Sequence, residues 1–153
     1  MSRDDSWLQE SLIKIQENHF PDITDGNDIE VCFGRKSKTR LGSIAIREKK
    51  YRHRRLTKLK LKFLKEESIV SVITINGHFK DPEIPDEVVH GVLAHEFSHF
   101  VHGFNSTRKK QYRNPHAGGI ITKELQSRGL DDILKAQKRW IKKNWREYII
   151  RNA

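Results

Sequence analysis

The sequence predicts an α+β fold: one small domain over residues 1–153, with a small mixed or antiparallel sheet of about three to five strands packed on an N-terminal and a central helix, and further helices at the C-terminal end. Three observations predict it. Runs rich in strand formers lie in the first half, at 29–33, 41–46 and 69–75. Helical periodicity flanks them at 6–19 and 87–102 and governs the end of the chain from 130. Finally, 153 residues, 35% hydrophobic and 33% charged, suffice for one core and not for two.

Residues 6–19 set Trp7, Leu8, Leu12, Ile13 and Ile15 at mostly helical spacing, and Phe20-Pro21 ends that helix. Turn formers 25–28 then lead into the strand-forming runs 29–33 and 41–46. Residues 56–64 fit two patterns. Leu59, Leu61 and Phe63 alternate with Lys58, Lys60 and Lys62 as in a strand, whereas Leu56, Leu59 and Phe63 share one helical face; the alternation favours a strand. The run 69–75 is a clearer strand ending at the Asn76-Gly77 turn, and 80–86, with two prolines, is a loop that opens a helix. On that helix Val89, Leu93, Phe97, Phe100 and Val101 form an apolar stripe, and Gly103 stands where a C-terminal cap belongs. A polar loop covers 105–119, a short helix runs to Gly129, and 130–151 is a basic amphipathic helix.

Mean hydropathy is −0.75 and no apolar run approaches the roughly 18 residues of a membrane span, so no membrane partner is expected. The first residues lack a secretory h-region and the lone Cys32 makes no internal disulfide; a reducing, cytoplasmic setting and a buried thiol are the expectations. Charge is uneven. Residues 35–65 hold fourteen Lys and Arg against one acid, Glu48, a local +13 that leaves the rest of the chain at −3. A nucleic acid or acidic partner is expected there, with Arg47, Lys49, Lys50, Arg52, Arg54, Arg55, Lys58, Lys60 and Lys62 as the candidate surface.

His95-Glu96-Phe97-Ser98-His99 is an H-E-x-x-H motif. Residues four apart project from one side of a helix, so both imidazoles can hold one metal while Glu96 acts as general base on a water at that metal. Shuffling this composition yields the pattern in about 3 of 100 chains, but here it falls mid-helix with its histidines rotated off the core stripe. Zinc, one per chain, is the expected ion, and a catalytic zinc takes three protein ligands. His116, in a loop beside Gly118-Gly119, is the favoured third; Glu124 is the alternative; His102 is about 10.5 Å along the helix from His95, too far to share a metal. His19, His53, His78 and His90 have no partner at metal spacing and read as surface groups, and Trp140 and Trp145 as packing residues. Tyr112 is a candidate for assisting an oxyanion.

The order of a helix, the strands IEVCF, RLGSIAI and SVITING, then PDEVVHGVLAHEFSHFVHG and NPHAGG resembles the SprT-like zinc metallopeptidases, Spartan proteases included, over most of residues 6–130. The resemblance implies a zincin-like fold, His95, His99 and His116 as zinc ligands and Glu96 as catalytic base. It also implies the strand 69–75 as the edge on which a peptide or protein substrate docks, and residues 49–66 as a basic insertion. The minigluzincins are similar in size and topology and imply Glu124 as third ligand. An aromatic residue that the family places soon after the histidine-glycine pair is missing here. The metzincin pattern does not fit, since His102 and Asn105 occupy its glycine and histidine positions. The expected function is therefore a zinc metallopeptidase, acting on proteins near nucleic acid, with a DNA- or RNA-binding module around a structural zinc as the competing reading.

Overall fold

The computed structural model describes residues 1–153. Helix α1 (Asp5–His19) opens under the Asp4 carboxylate, which accepts the Trp7 backbone N–H at 2.8 Å, and it buries Leu8, Leu12 and Ile15. Strands β1 (Asp28–Phe33), β2 (Gly42–Glu48) and β3 (Ile69–Ile75) make one mixed sheet in the order β1-β3-β2, with β1 parallel and β2 antiparallel to β3. The most apolar strand takes the centre: β3 buries Ile69, Val70, Ile73 and Ile75, while the strands carrying Glu30, Arg47 and Glu48 take the edges.

Residues 56–64 are not a strand. Helix α2 (Lys58–Leu61) forms a single turn there, with the Thr57 hydroxyl accepting the Lys60 N–H at 3.2 Å. Both sides of β3 are already paired, and the alternating apolar face has nothing to cover: Leu59 and Phe63 are 68% and 81% exposed. The basic segment instead returns past β3 towards β1, where Lys49 pairs with Asp28 and Arg52 with Glu30, and Lys60 pairs with Glu48. Beyond β3, Asn76 caps a tight turn. Its amide donates to the carbonyls of Ser37 and Arg40 at 2.7 and 2.8 Å, and its carbonyl accepts the His78 N–H, so one buried side chain ties the 37–40 loop to the end of the central strand.

Helix α3 (Asp86–Val101) starts with Asp86 and Glu87, acids suited to a helix N-terminus, and is followed by Gly103 at φ +86°. Far more than the expected stripe is buried, because α3 packs against α1, β2, β3 and the helices α4 (Ile120–Ser127) and α5 (Asp131–Trp140). Gly91 makes room for α5: a Cβ there would stand 2.3 Å from Gln137 Oε1. The chain then continues through one π-helical turn (Ile141–Trp145) into α6 (Arg146–Arg151), whose Tyr148 and Ile149 reach the core. Trp145 donates from its indole to the Lys38 carbonyl at 2.9 Å, and Tyr148 from its hydroxyl to Asp81 at 2.8 Å.

Two single-residue expectations are corrected by packing. His78 is buried, edge-on to Trp145 and Tyr148, because the C-terminal run closes over it. Cys32 is only part-buried, its thiol 4.0 Å from the Thr74 hydroxyl, because it lies on an edge strand; it is the chain's one cysteine and forms no disulfide. No helix is long and apolar enough to cross a membrane.

Candidate metal centre

His95 and His99 stand one turn apart on α3, and the loop after Pro115 brings His116 to them. One ligand nitrogen from each of the three lies within 4.8 Å of the others. The His99 ring meets those of His95 and His116 edge-on, at centroid distances of 4.9 and 4.7 Å. His99 is buried, His95 half-buried and His116 exposed, so the cluster sits at the floor of an opening and not inside the core.

None of the three imidazoles makes a hydrogen bond, and the buried His99 Nδ1 has no partner at all. Buried polar atoms are ordinarily satisfied, so converging, unpaired nitrogens fit a cation that accepts their lone pairs. Burial first, and then the charge of neighbouring histidines, lowers His95 and His99 to a pKa of about 4. Both rings are thus neutral at pH 7 and need lose no proton to bind a metal. Three imidazoles suit zinc, copper, iron or nickel, and leave a coordination position open.

Glu96 is 7% exposed and lies against the beginning of β2. Burial pushes its carboxyl up to about 7, opposed by the Arg40 guanidinium. Gly42 allows this contact: a Cβ there would come within 2.8 Å of Val92 Cγ1 and 3.3 Å of Glu96 Oε1. The histidines and Glu96 open into a cleft of about 1020 Å³ walled by residues 39–47 along β2, by His53, Arg55 and Leu56, by Phe104, Asn105 and Pro115, and by Gln137 of α5.

Other candidates lie elsewhere. Glu124 is engaged away from the cluster: one carboxylate oxygen meets His102 Nε2 at 2.8 Å, and Arg128 donates to the other at 3.0 Å. His102 is fully buried beneath this contact, and Arg128 continues to Asp22, a side-chain chain invisible in the spacing of its members. Tyr112 meets the His102 ring edge-on, with centroids 4.8 Å apart, and is not among the cleft-lining residues. The docking edge implied by the resemblance also shifts: β3 is central and paired on both sides, so the unpaired edge facing the cleft belongs to β2. Of the basic candidates, Arg47 and Arg55 line the cleft, Lys49, Arg52 and Lys60 are paired to acids, Lys50 and Arg54 stack on the Tyr51 ring, and Lys58 and Lys62 sit exposed in and beside α2. Arg40, Gly42 and Gln137 went unnoticed in the sequence; only the glycine opening a strand-forming run hinted at a close approach.

No protein-family model, curated protein or solved structure matches this chain.

Proposed function

We propose that this chain is a zinc-dependent metallopeptidase of the SprT-like kind, with Zn2+ held by His95, His99 and His116 and Glu96 as general base. The observation that carries the reading is the junction of three unpaired imidazoles with a buried carboxylate beside a free strand edge. Bound by the three histidines, the ion would supply Lewis acidity towards a water and the scissile carbonyl.

The chain's own residues account for the rest. The edge of β2 offers unpaired backbone groups to an extended peptide, which orients the scissile bond without reading much of its sequence. At its raised pKa of about 7, the Glu96 carboxylate accepts a proton from the attacking water and returns it to the leaving nitrogen. Gly42, without a side chain, lets that carboxylate lie against β2. Action near nucleic acid is supported by Lys58 and Lys62, unpaired cations outside the cleft beside the exposed Leu59 and Phe63.

Glu96→Gln tests the reading directly. Peptide hydrolysis should fall by a factor of about 10² to 10⁴, while elemental analysis still finds about one zinc per chain. His116→Ala should lose the zinc and Glu124→Ala retain it. An unchanged rate in Glu96→Gln, or no zinc in the unmodified chain after zinc repletion, would overturn the assignment.

A further inference from the structure

The cleft is charged on one side of the ledger only. Its walls carry Arg40, Arg47 and Arg55, and Glu96 is their sole acid. None of these three guanidinium groups pairs with a carboxylate, although Lys49, Arg52 and Lys60 of the neighbouring segment do. Cations left unpaired along a recess focus a positive potential into it.

Their placement follows the strand. Gly42 lies against Val92 and Glu96, and four residues on Ile46 pairs with Ser71, whose hydroxyl donates to the Asn105 carbonyl. β2 therefore runs from beside Glu96 to the loop beyond the histidines. Arg40 precedes the start of that path and Arg47 lies near its end, and Arg55 also lines the cleft. Seven residue steps, the last five within β2, run from Arg40 to Arg47, at most about 23 Å at the strand repeat, a span that an extended peptide of similar length matches.

We propose that the cleft selects an extended acidic peptide, laid along the free edge of β2 with its carboxylates meeting Arg40 on one side of the three histidines and Arg47 and Arg55 on the other. This substrate class rests on the peptidase reading above. A peptide fits better than a polynucleotide for two reasons. A strand edge presents N–H and C=O groups at the repeat of another extended peptide, and Phe104 is the one aromatic side chain of the cleft wall apart from histidines, too few for a row of stacked bases.

Anisotropy of two fluorescein-labelled octapeptides, one alternating glutamate with valine and one lysine with valine, tests this on the zinc-loaded full chain carrying Glu96→Gln. The acidic peptide should bind at least about tenfold tighter, as expected of two or three exposed charge pairs, and more weakly as salt is raised. Adding Arg47→Glu and Arg55→Glu should remove that preference, and Arg47→Lys with Arg55→Lys should restore most of it, with circular dichroism and zinc content unchanged. Equal binding of the two peptides, indifference to the charge reversals, or displacement of the acidic peptide by a thymidine oligonucleotide would overturn the proposal. Hydrolysis by the unmodified chain separates the two readings. Cleavage of both peptides at equal kcat/KM overturns the acidic preference and leaves the peptidase intact. Cleavage of neither, with the binding preference present, overturns the peptidase and sustains the acidic site.

Discussion

At the scale of single residues, the site depends on a glycine as much as on its histidines. At Gly42 of β2 a side chain would run into α3, meeting Val92 Cγ1 at 2.8 Å and Glu96 Cγ at 3.2 Å. Gly42→Ala should therefore lower stability by about 1–3 kcal/mol, as overpacking does, and lower kcat more than KM, because the displaced group is the proposed base. Urea unfolding and peptide hydrolysis measure the two effects; a variant with normal stability and normal kcat would show that β2 does not seat Glu96. His95, Glu96 and His99 were legible from the sequence because a four-residue spacing on a helix dictates a shared face. His116 was legible only as one of three options, since a loop residue's position depends on the path of the loop. Arg40 was not legible at all, its relation to Glu96 being set by Asn76, which grips the Arg40 carbonyl from the end of another strand.

At the scale of elements, the basic C-terminal run has a structural duty that its charge conceals. Its helices bury Leu134, Tyr148 and Ile149, close over His78, and fix the 37–40 loop through the Trp145 indole. A chain ending at Gly129 should thus lose cooperative thermal unfolding, followed by circular dichroism, and should show no gain in peptide hydrolysis. Retained cooperative unfolding with raised activity would instead make α5 and α6 a cover. Amphipathic periodicity announced this helix and the two flanking 29–75, because each had a continuous apolar face to bury. The same reasoning failed at 56–64, where the alternation was real but its apolar side had no surface to cover, Leu59 and Phe63 staying exposed; a pattern specifies a strand only when one face has something to bury against. It also misplaced the docking edge, since strand order is a property of the sheet and no single strand encodes it.

For the whole molecule, metal and pH bear on one stability. With zinc at a hundred times its dissociation constant, binding adds about 2.7 kcal/mol, so chelation should lower Tm by about 5–10 °C in the wild type and not in His116→Ala. Scanning calorimetry with and without chelator checks this, and an equal Tm in both would remove the metal from the fold's energetics. In the metal-free chain the half-buried His95 and the buried His99, held at about 4, favour the neutral forms, and the stability they contribute is lost as pH falls from about 6.5 towards 4. Glu96, raised to about 7, acts in the opposite sense, losing stability as pH rises from about 4.5 to 7, but it is one group against two. Asp22, held low by the Arg128 hydrogen bond, Asp81 by the Glu83 backbone N–H and Tyr148, and Glu124 by His102 contribute stability above the ordinary carboxylate range that disappears below it. The urea midpoint should therefore fall from pH 7 to pH 4 and fall further below, and Asp22→Asn should flatten the second decline. Local pattern was enough to establish the α+β class, the main helices and strands, and the helix bearing both histidines and Glu96, because periodicity and spacing act within a few turns of chain. Strand order, the choice of His116 over Glu124, the charge lining the cleft and the burial of His102 emerged only in three dimensions. Each depends on which distant segments pack together, and long-range packing leaves no signature in neighbouring residues.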